Sequence, residues 1–205
     1  MTNPLGLAVL ALLAERSMHP YEMATTLRER GKEDSIRINY GSLYSVIGAL
    51  ERAELIVAGE TSRHGARPER TVYSITPAGE IELDDWLREI LREPVKEYPR
   101  FEAGLSLMPH LPPDEVAAVL EERLGRLERQ AEESRAAVHD AQRQGVDRLF
   151  LVEAEYSLAM REAERRWTAE LLALIRDSPD FTSGWRAYHQ RRAESKRGEE
   201  DAGNS

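Results

Sequence analysis

Between Asn39 and Ser45 the chain reads Asn-Tyr-Gly-Ser-Leu-Tyr-Ser. Asn39, Tyr40, Ser42, Tyr44 and Ser45 each end in an amide, a phenol or a hydroxyl. Short hydrogen-bonding groups of this kind, carried at the start of a helix, suit contact with base edges in a major groove. Further along, residues 61–70 hold Arg63, His64, Arg67 and Arg70 against a single acid, Glu69. Guanidinium groups match phosphate oxygens in a forked geometry, and such contacts position a protein on a duplex without reading its sequence. With Arg52 between them, the two sets are candidate contacts to double-stranded DNA.

Other chemistries find little support. His19, His64, His110, His139 and His189 show no helical pairing and no HExxH spacing, and the chain has no cysteine, so neither a metal site nor a disulfide is expected. Glu153 with Glu155, and Glu162 with Glu164, stand two residues apart and face different sides of a helix, which is solvated charge rather than an acid–base dyad. Glycine-rich phosphate loops and a GxSxG elbow are absent. The expectation is a protein that is not an enzyme and needs no cofactor.

The elements that must position these groups are legible in the apolar spacing. Asn3-Pro4 is an N-cap followed by proline at the first helical position, and Leu5, Val9, Leu12 and Leu13 continue a buried helix to about Glu15. His19-Pro20 opens a second helix, with Met23 and Leu27 on one face and Gly31 as its stop. A third begins after Asn39 and buries Leu43, Val46, Ile47 and Leu50. Its opposite face carries Gly41, Ser45, Gly48 and Arg52. Each glycine in an exposed helix costs about 1 kcal/mol against alanine. A solvated face has no reason to bear that cost, whereas a helix lying close against another surface does. Residues 55–60 and 71–76 are β-prone and flank the basic stretch as a hairpin, and Thr76-Pro77 starts a further helix with Ile81, Leu83, Trp86, Leu87, Ile90 and Leu91 as its apolar positions. Three helices, a hairpin with a basic tip and another helix form the order of a winged helix-turn-helix. Tyr44 has two readings: packing against Tyr73, or contact with DNA.

The remainder reads as helix. Pro94 and Pro99 mark a boundary over 94–100, dividing a winged helix-turn-helix domain at 1–93 from a helical dimerisation domain at 100–178. In the latter, Leu120, Leu124, Leu127, Ala131, Ser134 and Val138 alternate spacings of four and three, a short heptad-like seam closed by Gly145. A last long helix over about 147–176 presents Ala163, Trp167 and Leu171. Leu120, Leu124, Leu127, Ala163, Trp167 and Leu171 are the expected dimer contacts. Trp86 and Trp167 are candidate linings of an effector pocket, with core packing as the plainer reading. Residues 179–205 are polar and are expected to be a disordered tail, despite Phe181, Trp185 and Tyr188. The fold class is therefore mainly α.

Charge is unevenly distributed. Residues 1–79 contain nine Lys or Arg against nine Asp or Glu, so the net charge of −9 lies wholly in the remainder. A neutral domain still meets phosphates when its cations share one surface, because screening makes charge local over roughly 8–10 Å. The longest apolar stretch, Leu5 to Ala14, is too short to span a bilayer and lacks a basic flank, so a cytoplasmic protein without a membrane anchor is expected.

Several stretches also resemble a known family. Residues 39–56, from Asn39-Tyr40-Gly41-Ser42-Leu43-Tyr44 to Leu55-Ile56, are similar to the recognition helix of PadR-like regulators. His19-Pro20-Tyr21-Glu22-Met23 resembles that family's second-helix opening, and residues 65–79 resemble its wing. The C-terminal helices look like the longer of the family's two C-terminal types. The resemblance implies a homodimeric repressor, in some members released by a small phenolic or apolar effector. Two positions depart from the pattern. Thr71-Val72 replace the usual basic residue before the wing's aromatic pair, and Ser45 stands where proline is frequent. The first weakens an expected phosphate contact, and the second means base reading does not transfer. The neutral N-terminal part keeps one alternative open, a winged-helix module that docks a protein partner.

Overall fold

The computed structural model describes residues 3–59 and 71–203. The chain divides into two compact units between Glu97 and Tyr98, within the proline-marked stretch 94–100.

The first unit opens with α1 (Pro4–Glu15), whose N-cap Asn3 accepts a hydrogen bond from the Leu5 amide at 3.0 Å. α2 (Pro20–Glu29) is capped by His19, whose Nδ1 accepts from the Tyr21 amide at 3.0 Å. α3 (Tyr40–Arg52) is capped by Asn39, which accepts from the Ser42 amide at 2.8 Å. In each case a side chain satisfies one of the amides that a helix start leaves without an intrahelical partner. The C-terminus of α3 closes differently. The Glu54 amide bonds to the Glu51 carbonyl at 2.9 Å and the Leu55 amide to the Leu50 carbonyl at 3.0 Å, with Glu54 left-handed at φ 59°. This is a Schellman closure in which glutamate occupies the place that glycine fills without strain.

Two short strands follow, β1 (Ile56–Ala58) and β2 (Tyr73–Ile75), antiparallel with Ile56 opposite Ile75 and Ala58 opposite Tyr73. Met18 pairs with Tyr73 on the other edge, so the link between α1 and α2 adds a third short rung. α4 (Pro77–Arg92) starts from the cap Thr76, whose hydroxyl also bonds the Leu55 carbonyl at 3.0 Å. Gly79 is required here, because a Cβ would stand 2.1 Å from the Leu55 carbonyl oxygen. The core joins Leu5, Val9 and Leu12 of α1 with Met23 and Leu27 of α2, Leu43, Ile47 and Leu50 of α3, Ile56, and Trp86 of α4.

The second unit is a helical assembly. α5 (Arg100–Leu107) leads to the long α6 (Pro113–Arg143), which turns at Gly145 (φ 81°) into α7 (Val152–Asp177). α6 and α7 pack as a hairpin, with Val116, Ala117 and Leu120 against Leu171, Leu172 and Ile175. Ion pairs flank this seam, among them Arg176–Glu121 at 2.8 Å and Arg135–Glu162 at 2.5 Å. One expectation is corrected here. Pro179–Gly203, read from sequence as a disordered tail, forms a helix, α8. Trp185 donates its indole N–H to the Leu111 carbonyl at 2.8 Å and Arg186 pairs with Asp114 at 2.8 Å, so α8 is tied to the start of α6. Trp185, half-buried against the second core, supplied the packing that overall polarity concealed, while Phe181 and Tyr188 stay exposed.

Candidate nucleic-acid interface

α3 is held from behind by its apolar stripe. Leu43, Ile47 and Leu50 are buried in the core, and Val46 is half-buried against it. The face this leaves outward carries Gly41, Tyr44, Ser45 and Arg52, all exposed, with Ser42 and Gly48 partly so. Neither glycine on that face is demanded by the protein's own packing. A Cβ on Gly48 would meet only the end of the Arg52 side chain at 3.5 Å, and one on Gly41 would meet only Asn39 Oδ1 at 3.6 Å, both ordinary contacts. Gly48 sits in the helix interior, where its propensity cost is about 1 kcal/mol. The contact with Arg52 also places that guanidinium along the same face.

Asn39 is exposed, but its side-chain oxygen caps the helix, leaving its amide NH2 as the group available for other contacts. Tyr44 is 55% exposed, which leaves its phenol free for an outside contact. It also stands near enough to Tyr73 to act on it electrostatically. Burial pushes the Tyr73 phenol above its ordinary range, and the Glu51 carboxylate and Tyr44 add to that shift. Arg63, His64, Arg67 and Arg70 lie outside the described residues. The strands β1 and β2 that precede and follow them in sequence are paired, and the Gly59 amide bonds the Val72 carbonyl at 2.7 Å.

Ion pairs hold α2 to α1. Arg30 grips Glu15 in bidentate fashion at 2.5 and 2.7 Å, and Arg16 meets Glu22 at 2.6 Å. The hydrogen bond from Arg30 holds the Glu15 carboxyl below its ordinary range, and that from Arg16 does the same for Glu22.

Sequence reasoning missed one feature beside this face. Tyr21 of α2 stacks on Tyr40 of α3, ring centroids 6.1 Å apart and planes within 10°. Arg28 of α2 donates to the Tyr40 hydroxyl at 3.3 Å and to Glu33 at 3.1 Å. The signal was present in the second helix, since Tyr21 falls off the Met23–Leu27 apolar stripe and so had to project from the domain.

The remaining predicted residues separate. Trp86, a candidate effector contact, is a core residue, 5% exposed, with its ring against Gly6. Its burial follows from α4 closing over α1. Trp167 belongs to the second unit, remains partly exposed, and meets Phe101 edge-on at 6.2 Å. Phe101 lines an open groove of about 1050 Å³ between α5 and α6, with Leu105, Met108, Val116, Leu127 and Arg123. Leu120, Leu127 and Leu171, expected at a dimer interface, are buried within the chain's own α6–α7 assembly, while Leu124 and Ala163 are half-buried. The seam read from α6 therefore serves the intramolecular hairpin. Among the described residues no group of three acids or histidines could hold a metal, and no helix is long and apolar enough to cross a membrane.

Three core helices, a strand pair and a capping helix define a winged helix-turn-helix, followed here by a helical C-terminal part. Residues 9–85 match the model of the Transcriptional regulator PadR-like family. Solved structures share the fold over most of the chain. Bacillus subtilis PadR in complex with operator DNA is similar at 18% identity and a TM-score of 0.67, covering 84% of this chain and 99% of its own. The same Bacillus subtilis protein in complex with p-coumaric acid is similar at 17% identity and a TM-score of 0.62, covering 87% and 100%. A PadR-like transcriptional regulator from Bacillus cereus matches at 15% identity and 0.56, covering 84% and 98%. At these identities the likeness is one of fold. No curated protein matches the sequence.

Proposed function

We propose that this chain is a cytoplasmic, homodimeric transcriptional repressor that binds a pseudo-palindromic operator through α3 and the wing. The observation that carries the reading is Gly48. It weakens an outward helix face that nothing in the domain crowds, and close approach to another surface is the physical return for that weakness. Asn39, Tyr40, Ser42, Tyr44, Ser45 and Arg52 would meet the duplex from α3, and Arg63, His64, Arg67 and Arg70 would meet its phosphates from the wing. Two copies would set their recognition helices about 34 Å apart, one turn of DNA.

Dimerisation is supported by apolar side chains that one chain leaves exposed. Leu149 and Phe150 at the turn between α6 and α7 are both 75% exposed, and Val152, Tyr156 and Trp167 continue along α7. Leu124, Ala163 and Trp167 remain the candidate contacts from the sequence that a second copy could still cover. The effector would be a small apolar or phenolic molecule. The Phe101 groove, with Trp167 behind it and Arg123 on its wall, has the size and lining for one. The p-coumaric acid complex of the Bacillus subtilis protein supports that class.

A fluorescence-anisotropy titration against a duplex from the gene's own upstream region, at two salt concentrations and with an unrelated duplex as control, tests the reading. Selective, salt-sensitive binding at two chains per duplex is expected. Equal affinity for both duplexes would overturn it. The neutral charge of residues 1–79 favours a second reading, a protein-docking module. Joint substitution of Arg63, Arg67 and Arg70 separates the two, because only DNA binding should collapse.

A further inference from the structure

The Tyr21–Tyr40–Arg28 cluster has no part in the core of the first unit. Tyr21 is 60% exposed and Tyr40 41%, yet their planes are nearly parallel. Arg28 braces Tyr40, its guanidinium carbon 5.1 Å from the ring centroid and its N–H on the Tyr40 hydroxyl. Glu33 in turn holds Arg28. The rotamer-rich Arg28 is thus held in one geometry at the surface, at an entropic cost that solvent-exposed contacts hardly offset.

We propose that this cluster is a phosphate-contact device, in which Tyr40 donates its phenolic proton to a backbone phosphate oxygen and Arg28 and Tyr21 are positioning residues. The direction of one hydrogen bond is decisive. Arginine has donors only, so the Tyr40 oxygen is the acceptor toward Arg28, and its own proton is left to be donated elsewhere. Tyr21 fixes the ring's plane, and Tyr40 is the first residue of α3, so the donor sits at the end of the helix that approaches a duplex. Arg28 keeps Glu33 as its charge partner and does not itself neutralise a phosphate. The inference rests on the DNA-binding reading above and adds to it which atom meets the backbone and what holds it there.

Anisotropy titrations of Tyr40→Phe, Arg28→Met, Arg28→Lys, Tyr21→Leu and the Tyr40→Phe/Arg28→Met pair, each over a range of salt, test it. Tyr40→Phe should weaken binding about tenfold on every duplex, leaving the ratio between specific and unrelated DNA unchanged, since a phosphate contact carries no sequence information. Arg28→Met and Tyr21→Leu should each lose several-fold, Arg28→Lys less, and the double variant no more than Tyr40→Phe alone. The salt slope should stay at the wild-type value throughout, because a neutral donor releases no counterion. Helical circular dichroism and melting temperature report whether each variant is folded, and Tyr40→Phe, nearly isosteric, is the variant that decides. A slope reduced by about one in Arg28→Met would make Arg28 the phosphate ligand and overturn the proposal, as would additive losses or an unaffected Tyr40→Phe. A wild type that selects no duplex overturns the DNA-binding reading itself, whereas a selective wild type with insensitive variants overturns this inference alone.

Discussion

Gly48 and Arg30 show how single residues divide between stability and contact. A Cβ at Gly48 meets nothing closer than the flexible end of Arg52, so Gly48→Ala should raise the unfolding free energy by about 1 kcal/mol. If α3 approaches a duplex closely, the same methyl should lower DNA affinity. Chemical denaturation and anisotropy on one preparation would therefore move in opposite directions, and a gain in both would remove the reason for the glycine. Arg30 gives a pH prediction. The folded Glu15 carboxyl titrates below its ordinary value of 4.5 because Arg30 binds its charged form. Its contribution is therefore complete above that value and is lost as pH falls through the depressed one. Arg30→Met should flatten the dependence of stability on pH below about 4.5 while changing little of its shape near neutrality, as read by melting curves across pH.

At the scale of elements, ends matter more than middles. The Schellman closure of α3 forces Glu54 to φ 59°, a conformation that costs an ordinary residue about 1 kcal/mol and glycine nothing. Glu54→Gly should raise the melting temperature of the first unit by a few degrees, and scanning calorimetry would see it. α8 makes the converse point. Its tie to the second unit runs through the Trp185 indole on the Pro109 and Leu111 carbonyls and through Arg186 on Asp114. Trp185→Ala removes a half-buried apolar contact and that hydrogen bond together, so the loss should be about 1–2 kcal/mol. The expected outcome is faster amide exchange along α8 and at the start of α6, with α1–α3 unchanged. Exchange unchanged in α8 would mean that Trp185 does not hold it.

For the molecule as a whole, one exposed apolar stretch among the described residues is the end of the α6–α7 hairpin. Leu149 and Phe150 are each 75% exposed, with Tyr156 beyond them, and exposed large apolar side chains in a cluster mark an association surface. Joint Leu149→Glu and Phe150→Glu substitution should convert the proposed dimer to monomers in sedimentation analysis. It should also weaken operator binding strongly, because two half-sites would no longer be engaged by one particle. A dimer that survives both charges would place the interface elsewhere, on Trp167 or the Phe101 groove.

Local periodicity and capping determined much of this protein from the sequence alone. Asn3, His19, Asn39 and Thr76 each announce a helix start, because a capping side chain is a local device that needs no distant partner. The Leu43–Ile47–Leu50 stripe likewise dictated which face of α3 turns outward, and with it Ser45, Gly48 and Arg52. Tertiary structure decided what distant residues settle between them. The Leu120–Leu127 stripe reads equally well as a seam for another chain or for the same one, and only the return of α7 assigned it to the intramolecular hairpin. Trp86 became core because α4 closes over α1, and α8 became ordered because carbonyls near Leu111 await an indole 74 residues away. Tyr21 and Tyr40 lie on separate helices, so their stack exists only once α2 and α3 have packed. Periodicity specifies a face, but the partner of that face is set by packing between segments remote in sequence, and no local pattern encodes it.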